Sequence, residues 1–314
     1  MIFVALSIMR QDIQNPSENI FLHGSKSGEA GLLLVDESLE TRTALACELL
    51  VVLDADSIQL ALKEKKSNRI LALEIFQSES GNKAINWTEA LEQLSRNSYL
   101  LRHFEFTKAI VGIFSSPYTL VPEAIYKAGD DKKFIDFHFE DKENTQRVFS
   151  RQVNPFQLKT LFGISEELYH ELFHLFEEPE LIHATSTLLE AAHLQSRGKK
   201  ERELFLHVRK ASVDIIVLEG KKLLLMNSYA SPTADDLLYF SLMVCDQLEL
   251  DPDSIQVWLS GEFEKESAKY KLLYQYFRNL QLSQRPGNLN YSYRIEQLPA
   301  HQHFSLFTLA LCEL

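Results

Sequence analysis

Cysteine is scarce in this chain: residues 47, 245 and 312 are the only three in 314, odd in number, far apart and never in a C-x-x-C pair. Neither a disulfide framework nor a cysteine zinc site is indicated, and a reducing cytoplasm is the expected compartment. Glycine (11) and proline (9) are also few, so there is no collagenous or disordered bias. No apolar run reaches the ~20 residues of a membrane span. The opening MIFVALSIMR has no basic residue before it and no cleavage site after it, and the closing FSLFTLALC is equally short. A soluble chain without membrane insertion is expected. Positive charge is in the minority, with a net charge of -12 and a pI near 5.4. Nucleic acid and anionic lipid carry the same sign, which argues against both as partners. The basic runs KEKKSNR (63–69) and RGKKERE (197–203) read as a solvated turn and loop.

What the chain does have is a large apolar share, 45% of residues, at a length that predicts roughly two domains of ~150 residues. LLVVLDADSIQLALKEKKSNRILALEIFQ, from residue 49, predicts three strands joined by tight polar turns. A helix follows over residues 86–101, with Trp87, Leu91, Leu94 and Leu101 on one face and Asn86 or Thr88 as cap. KAIVGIF (108–114) reads as a buried strand, TLVPEAIYKAG as the start of a helix, and KFIDFHFE and QRVFSRQV as strands. From residue 154 to about 197, PFQLKTLF, ISEELYHELFHLFEE and PELIHATSTLLEAAHLQ read as helices, the last opened by Pro179. The opening order then returns: three strands from residue 204 around RKAS and EGKK, a helix in TADDLLYFSLMVCDQLEL, a strand in SIQVWLSG and a helix in EKESAKYKLLYQYF. YSYRIEQ reads as a strand and HFSLFTLALC as a last helix.

Both halves therefore run β-β-β-α-β-α, repeating elements and not letters. That order is the ribonuclease-H-like unit, and two in tandem predict an α/β protein of actin-like ATPase architecture. The expected division is an unassigned extension (1–30), a first half (31–153), a helical connection (154–202) and a second half (203–314). The stretch LLLMNSYASPTADDLLYFSLMVCDQLELDPDSIQVWLSGEFEKES resembles the signature region of domain-of-unknown-function family 3822, and YTLVPEAIYKAGDDKKFIDFHF resembles its first-half element. The likeness spans roughly residues 31 to 314. It implies the actin-like ATPase fold and no activity.

Active enzymes of that fold place D-x-G-[ST] between the first two strands of each half, where glycine lets the backbone approach phosphate. Here the first turn reads Asp54-Ala55-Asp56-Ser57. Asp56 stands in the glycine position, and two unit charges ~4 Å apart repel by about 4 kcal/mol at a dielectric of 20, nearly a thousandfold in affinity. A divalent cation would offset part of this. The second turn, RKAS, offers Lys210 and Ser212, and the adenosine loop offers one glycine, Gly261, where two are expected. A non-hydrolysing relative is expected, with no cofactor; the alternative is ATP with magnesium on Asp54, Ser57, Lys210, Ser212 and Gly261.

The letters H-E-L-F-H from His170 to His174 spell the HExxH signature of zinc peptidases. On a helix the two histidines lie one turn apart, with Glu171 placed as a general base. The extended spacing for a third ligand fails at Glu177 and Glu180, leaving His183 or Glu190 as remote candidates. Zinc on His170, Glu171 and His174 is therefore the lesser reading. His183 and His193 are expected as packing or surface residues, and His301 and His303 at the start of the last helix. Trp258 and Tyr239 are expected in the core, and Asp235 and Asp236 in the first turn of a helix. The leading expectation is a cytoplasmic, non-catalytic scaffold or assembly factor with a protein partner not yet identified.

Overall fold

A computed structural model describes residues 21–22, 31–39, 46–77, 86–114, 117–138 and 147–311. Cys312 and most of the first thirty residues lie outside that set. The chain divides into two compact units.

Unit 1 comprises residues 1–152, 159–184 and 288–298. Its main sheet is built on β3 (Cys47–Leu53), β4 (Ser57–Glu64) and β5 (Arg69–Gln77), an antiparallel meander. β6 (Lys108–Ile113) lies parallel to β3, and β10 (Glu180–His183) parallel to β6. The spatial order is thus third, second, first, fourth, fifth. β1 (Phe21–Leu22) and β2 (Gly31–Val35) extend the sheet beyond β5. Every residue of β3 is buried, as a strand covered on both faces requires, hence its unbroken apolar run. The exception, Glu48, is fully buried yet ion-paired to Lys63 at 3.2 Å and Lys65 at 2.8 Å. Helices α1 (Trp87–Asn97) and α2 (Tyr99–His103) follow β5. Asn86 caps α1, and α1 buries Leu91 and Leu94 against Leu49, Val51, Leu60 and Val111. Ser98 and Glu74 start α2: the Glu74 carboxylate accepts from Ser98 Oγ (2.6 Å), Tyr99 N (2.7 Å) and Leu100 N (3.1 Å). Burial raises the Glu74 pKa against the pull of those three donors.

Several expected elements change type. TLVPEAIYKAG does not open a helix: it gives β7 (Tyr118–Pro122), then a turn closed by Tyr126 N–H on Pro122 O. KFIDFH alternates like a strand but forms α3 (Asp131–His138), where Ile135 is buried and Phe137 is 84% exposed. Lys132–Asp136 (3.5 Å) supplies an opposite-charge pair one helical turn apart, which favours the helix. The region expected as helices from 154 contains two strands, β9 (Leu158–Ile164) and β10. β9 joins β7 and β8 (Arg147–Val153) in a three-stranded sheet. It follows Gln157, which is left-handed at φ 53°. Its residues alternate, Phe162 and Ile164 toward the main core and Leu161 toward Val121 and Ile135, a period of two that excludes a helix. α4 (Glu166–Leu175) and α5 (Ala184–Gln195) are helical as expected.

Unit 2 comprises residues 153–158, 185–287 and 299–314. β11 (Arg202–Val208), β12 (Ser212–Glu219) and β13 (Lys222–Ala230) form an antiparallel meander. β14 (Gln256–Gly261) lies parallel to β11, and β15 (Asn279–Leu282) parallel to β14. The order again runs third, second, first, fourth, fifth. The likeness extends to a defect. A bulge places Leu71 of β5 and Leu224 of β13 as the extra residue at the same point of each meander. α6 (Ala234–Gln247) opens with a capping box between Thr233 and Asp236, and Asp235 and Asp236 both fall in its first turn as expected. Leu237, Val244 and Cys245 pack under the sheet with Leu273 of α7 (Ala268–Tyr276). Tyr239 departs from expectation, 62% exposed on α6.

YSYRIEQ is strand only at β16 (Asn290–Tyr291), which pairs with Arg69 and Ile70 of β5, and then turns into α8 (Tyr293–Glu296). α9 (Phe304–Leu309) is wholly buried.

Candidate functional site

In each unit the hairpin between the first two strands of the meander is the turn that corresponds in position to D-x-G-[ST]. In unit 1, Asp54 N–H donates to Ser57 O at 2.9 Å, closing a two-residue loop at Ala55 and Asp56. Asp54, buried, turns its carboxylate back on the loop, where Oδ1 accepts from Ala55 N–H at 2.7 Å. A loop amide that phosphate would need is thus held by an anion of the chain itself. Ser57 is the first residue of β4, beside that loop.

In unit 2, Arg209 N–H donates to Ser212 O at 2.9 Å, leaving Lys210 and Ala211 as the loop. A residue that the motif did not suggest, Lys269 of α7, directs its ammonium onto the carbonyls of Arg209 (3.2 Å), Lys210 (2.8 Å) and Ser231 (3.2 Å). This hairpin therefore presents carbonyl oxygens to a cation of its own. Behind it, Arg209 pairs with the fully buried Asp214 at 3.0 Å, and Ser228 Oγ donates to the same carboxylate.

Gly261 pairs in register with Val208, so it stands at the same sheet end as Lys210 and Ser212. Its φ is +113°, and a Cβ there would lie 2.0 Å from Val208 O. The glycine is required by its own backbone, whatever else approaches it. Glu262 N–H donates to Val208 O, and Gly261 N–H to His301 O. Next to it the chain gathers Glu262, His207, Ser260, His301 and His303. Glu262 Oε1 accepts from His303 N at 3.0 Å and lies 3.4 Å from His303 Nδ1. Burial acts to raise the Glu262 pKa, but the charge and hydrogen bonds of His303 prevail and bring it down to about 2. His207 Nδ1 and Ser260 Oγ share a hydrogen bond of 2.9 Å, and His301 Nε2–H donates to Phe263 O. Burial lowers the His301 pKa. His303 is the left-handed residue before α9, and its side chain makes no capping bond.

The HELFH segment lies on α4 in unit 1. Leu168 and Leu172 are buried, while His170 and His174 face solvent; His170 pairs with Glu166 at 3.2 Å. Glu171 accepts from Thr88 Oγ1 of α1 at 3.3 Å, beside Glu167 at 2.7 Å. The carboxylate in the general-base position thus serves helix packing. Among the described residues no three His, Cys, Asp or Glu side chains are grouped to hold a metal ion. His183 is buried and stacks on Tyr118 with centroids 4.2 Å apart; His193 meets Phe156. Trp258 is half-buried and donates to Glu203 at 2.8 Å. Among the described residues no helix is long and apolar enough to cross a membrane.

Lys269 and Glu262 were not readable as site residues, because the groups they meet lie 38 to 60 residues away. Asp214 carries a weak signal: it is the one charged residue inside the apolar stretch VDIIVL of its strand.

Residues 36–280 match the family described as "Protein of unknown function (DUF3822)". No curated protein matches in sequence. Among solved structures, a Bacteroides thetaiotaomicron protein with actin-like ATPase fold and unknown function superposes with a TM-score of 0.74. It is 18% identical, and the match covers 87% of this chain and 99% of that one. A chain of the PilM–PilN type IV pilus biogenesis complex superposes at 0.59 with 11% identity, over 84% of this chain and 97% of its own. The fold is accordingly the actin-like ATPase fold.

Proposed function

Since the chain belongs to the DUF3822 family and carries the actin-like ATPase fold, we propose that it is a non-catalytic scaffold or assembly factor working through protein contacts. The observation that carries this reading is the state of the first hairpin. Asp54 Oδ1 already holds the Ala55 amide at 2.7 Å, and an incoming phosphate would have to displace one anion while facing Asp56. In the second hairpin, Lys269 takes the carbonyls of residues 209 and 210. The first turn thus has a loop donor already taken by the chain itself, and a turn short of such donors has little to offer a nucleotide. The fold alone hosts many functions, and a type IV pilus biogenesis complex contains a chain of this fold, so assembly through protein contact has a precedent in kind. Cytoplasmic placement is part of the proposal. Cys47 and Cys245 are buried, and desolvation chiefly pushes both thiols up to about 11, which leaves them inert as thiols.

A nucleotide-binding protein is the second reading, favoured by the equivalent placement of the two hairpins. Calorimetry with magnesium ATP separates the two. The scaffold reading expects no heat up to millimolar nucleotide. Micromolar binding that Asp54→Ala weakens would replace it with an ATPase using Asp54, Ser57, Lys210, Ser212 and Gly261.

A further inference from the structure

The repeat between the units is unequal at one edge. In unit 1, β5 carries β2 on its outer side, antiparallel, in the register Leu32–Ile75, Leu33–Glu74, Leu34–Leu73 and Val35–Ala72. Aligning the two meanders on their shared bulge makes Ala72, Leu73, Glu74 and Ile75 equivalent to Leu225, Met226, Asn227 and Ser228 of β13. Among the described residues β13 has β12 as its one strand neighbour.

Ser231 N–H donates to Ala211 O, which fixes the alternation of the ladder. Leu225, Asn227 and Tyr229 spend their backbone groups on β12, and Met226 turns its N–H and C=O outward, as its equivalent Leu73 does toward Leu34. The Ser228 N–H is held by Asn227 Oδ1 at 2.9 Å, a local bond that a strand carbonyl could take over at little net cost. The bulge is no obstacle, since β5 carries the same one and is still paired.

We propose that this edge is a self-association surface: β13 of one copy pairs antiparallel with β13 of a second copy, as β2 pairs with β5. Three features favour a second copy as the occupant. The orientation is the one the fold accepts at the equivalent place. The strand has no charge between residues 223 and 230, so two chains of net charge -12 can meet there without opposing like charges. Its ends are also complementary. Lys221 and Lys222 are exposed at one end, and Asp235 is exposed just beyond the other, at the start of α6. An antiparallel pair centred on Asn227, which sets Met226 opposite Ser228, carries the lysines of each copy toward the acidic end of its neighbour. Tyr229, stacked on Phe240 at 4.7 Å with Tyr239 beside it, supplies an aromatic shelf along the seam. This goes beyond the scaffold reading and stands whether or not nucleotide binds.

The test is sedimentation equilibrium of the full chain across the micromolar range. The wild type is expected to be a concentration-dependent dimer in which Met226 N–H exchanges more slowly as concentration rises. Met226→Pro removes an outward donor at an edge position where proline is tolerated. It should keep its circular dichroism and melting temperature while dimerising about thirtyfold more weakly, the size of two net hydrogen bonds, one donor being lost from each copy. Lys222→Glu should weaken the dimer, and adding Asp235→Lys should restore it. A monomer at all concentrations, or a dimer as strong in a folded Met226→Pro as in the wild type, would overturn the proposal. Should Met226→Pro unfold, the charge pair decides alone: no loss with Lys222→Glu, or no rescue by the double change, refutes it.

Discussion

Gly261→Ala puts a single methyl group where the backbone of Val208 stands, and its cost can be worked from the geometry. The new Cβ would lie 2.0 Å from Val208 O and 2.8 Å from both Val208 C and N. These are main-chain atoms of a neighbouring paired strand, so no side chain can swing aside. A positive φ of this kind costs an L-residue about 1–3 kcal/mol, and forcing a methyl into a filled site costs a further ~1–3 kcal/mol. A loss of roughly 3–5 kcal/mol is therefore expected, a large part of the ~5–15 kcal/mol that holds a typical domain. Trp87 lies in unit 1 and Trp258 in unit 2, and the chain has no other tryptophan. Urea unfolding followed by fluorescence in a Trp87→Phe background therefore reports unit 2 alone. The expected result is an earlier Trp258 transition, with the Trp87 transition, followed in a Trp258→Phe background, little changed. A loss under about 1 kcal/mol would refute the reasoning, because it would mean β14 can retreat from β11 without penalty, and the glycine would then need another explanation, such as a ligand.

Other perturbations test separate parts of the structure. Glu74→Ala should destabilise unit 1 by about 2–4 kcal/mol, since Ser98 Oγ and two α2 amides lose a charged acceptor; Glu74→Gln, which keeps an acceptor oxygen, should lose less in the same urea titration. Glu262 has a folded pKa of about 2 against an ordinary 4.5, so its contribution is present above pH 4.5 and lost as pH falls toward 2. Its side chain is 36% exposed, and water screens the effect, but Glu262→Gln should still flatten the acid limb of unit 2 stability; an unchanged limb would count against the His303 pairing. Asp214→Ala leaves Arg209 without its buried partner and should cost about 3–5 kcal/mol in thermal or urea unfolding. Mass spectrometry of protein purified without chelator should find no stoichiometric zinc; one zinc per chain, lost with His174→Ala, would revive the HELFH reading.

The sequence announced the two meanders because all their strands but the edge strand β13 are largely buried. CELLVVL and SVDIIVLE have to be apolar almost throughout, and such runs stand out. It misled where a local pattern served another end. The alternation of KFIDFH arises in a helix that leaves Phe137 in water, and LKTLFGI hides a strand inside a stretch of helical composition. β15 is four half-exposed residues and has no pattern to see. At the candidate site, Asp54, Ser57, Lys210, Ser212 and Gly261 could be placed on their turns from motif spacing. Their contacts could not be foreseen. Lys269 reaches Lys210 across 59 residues and Glu262 meets His303 across 41, and no short window of sequence contains such pairs.

The return of residues 288–298 to unit 1 sets an order of events during synthesis. Asn68 Nδ2 donates to the carbonyl of Asn288, 220 residues later, and β16 pairs with Arg69 and Ile70 just beyond it. At the pace of a ribosome this partner arrives roughly 10–40 s after β5 has emerged. By then the five strands of unit 2 have all been made. The unit begun first is thus closed only after the strands of the second exist, and until that moment the Arg69–Ile70 end of β5 is an open strand edge on a nascent chain, a place where chaperones or neighbouring chains compete with the native partner.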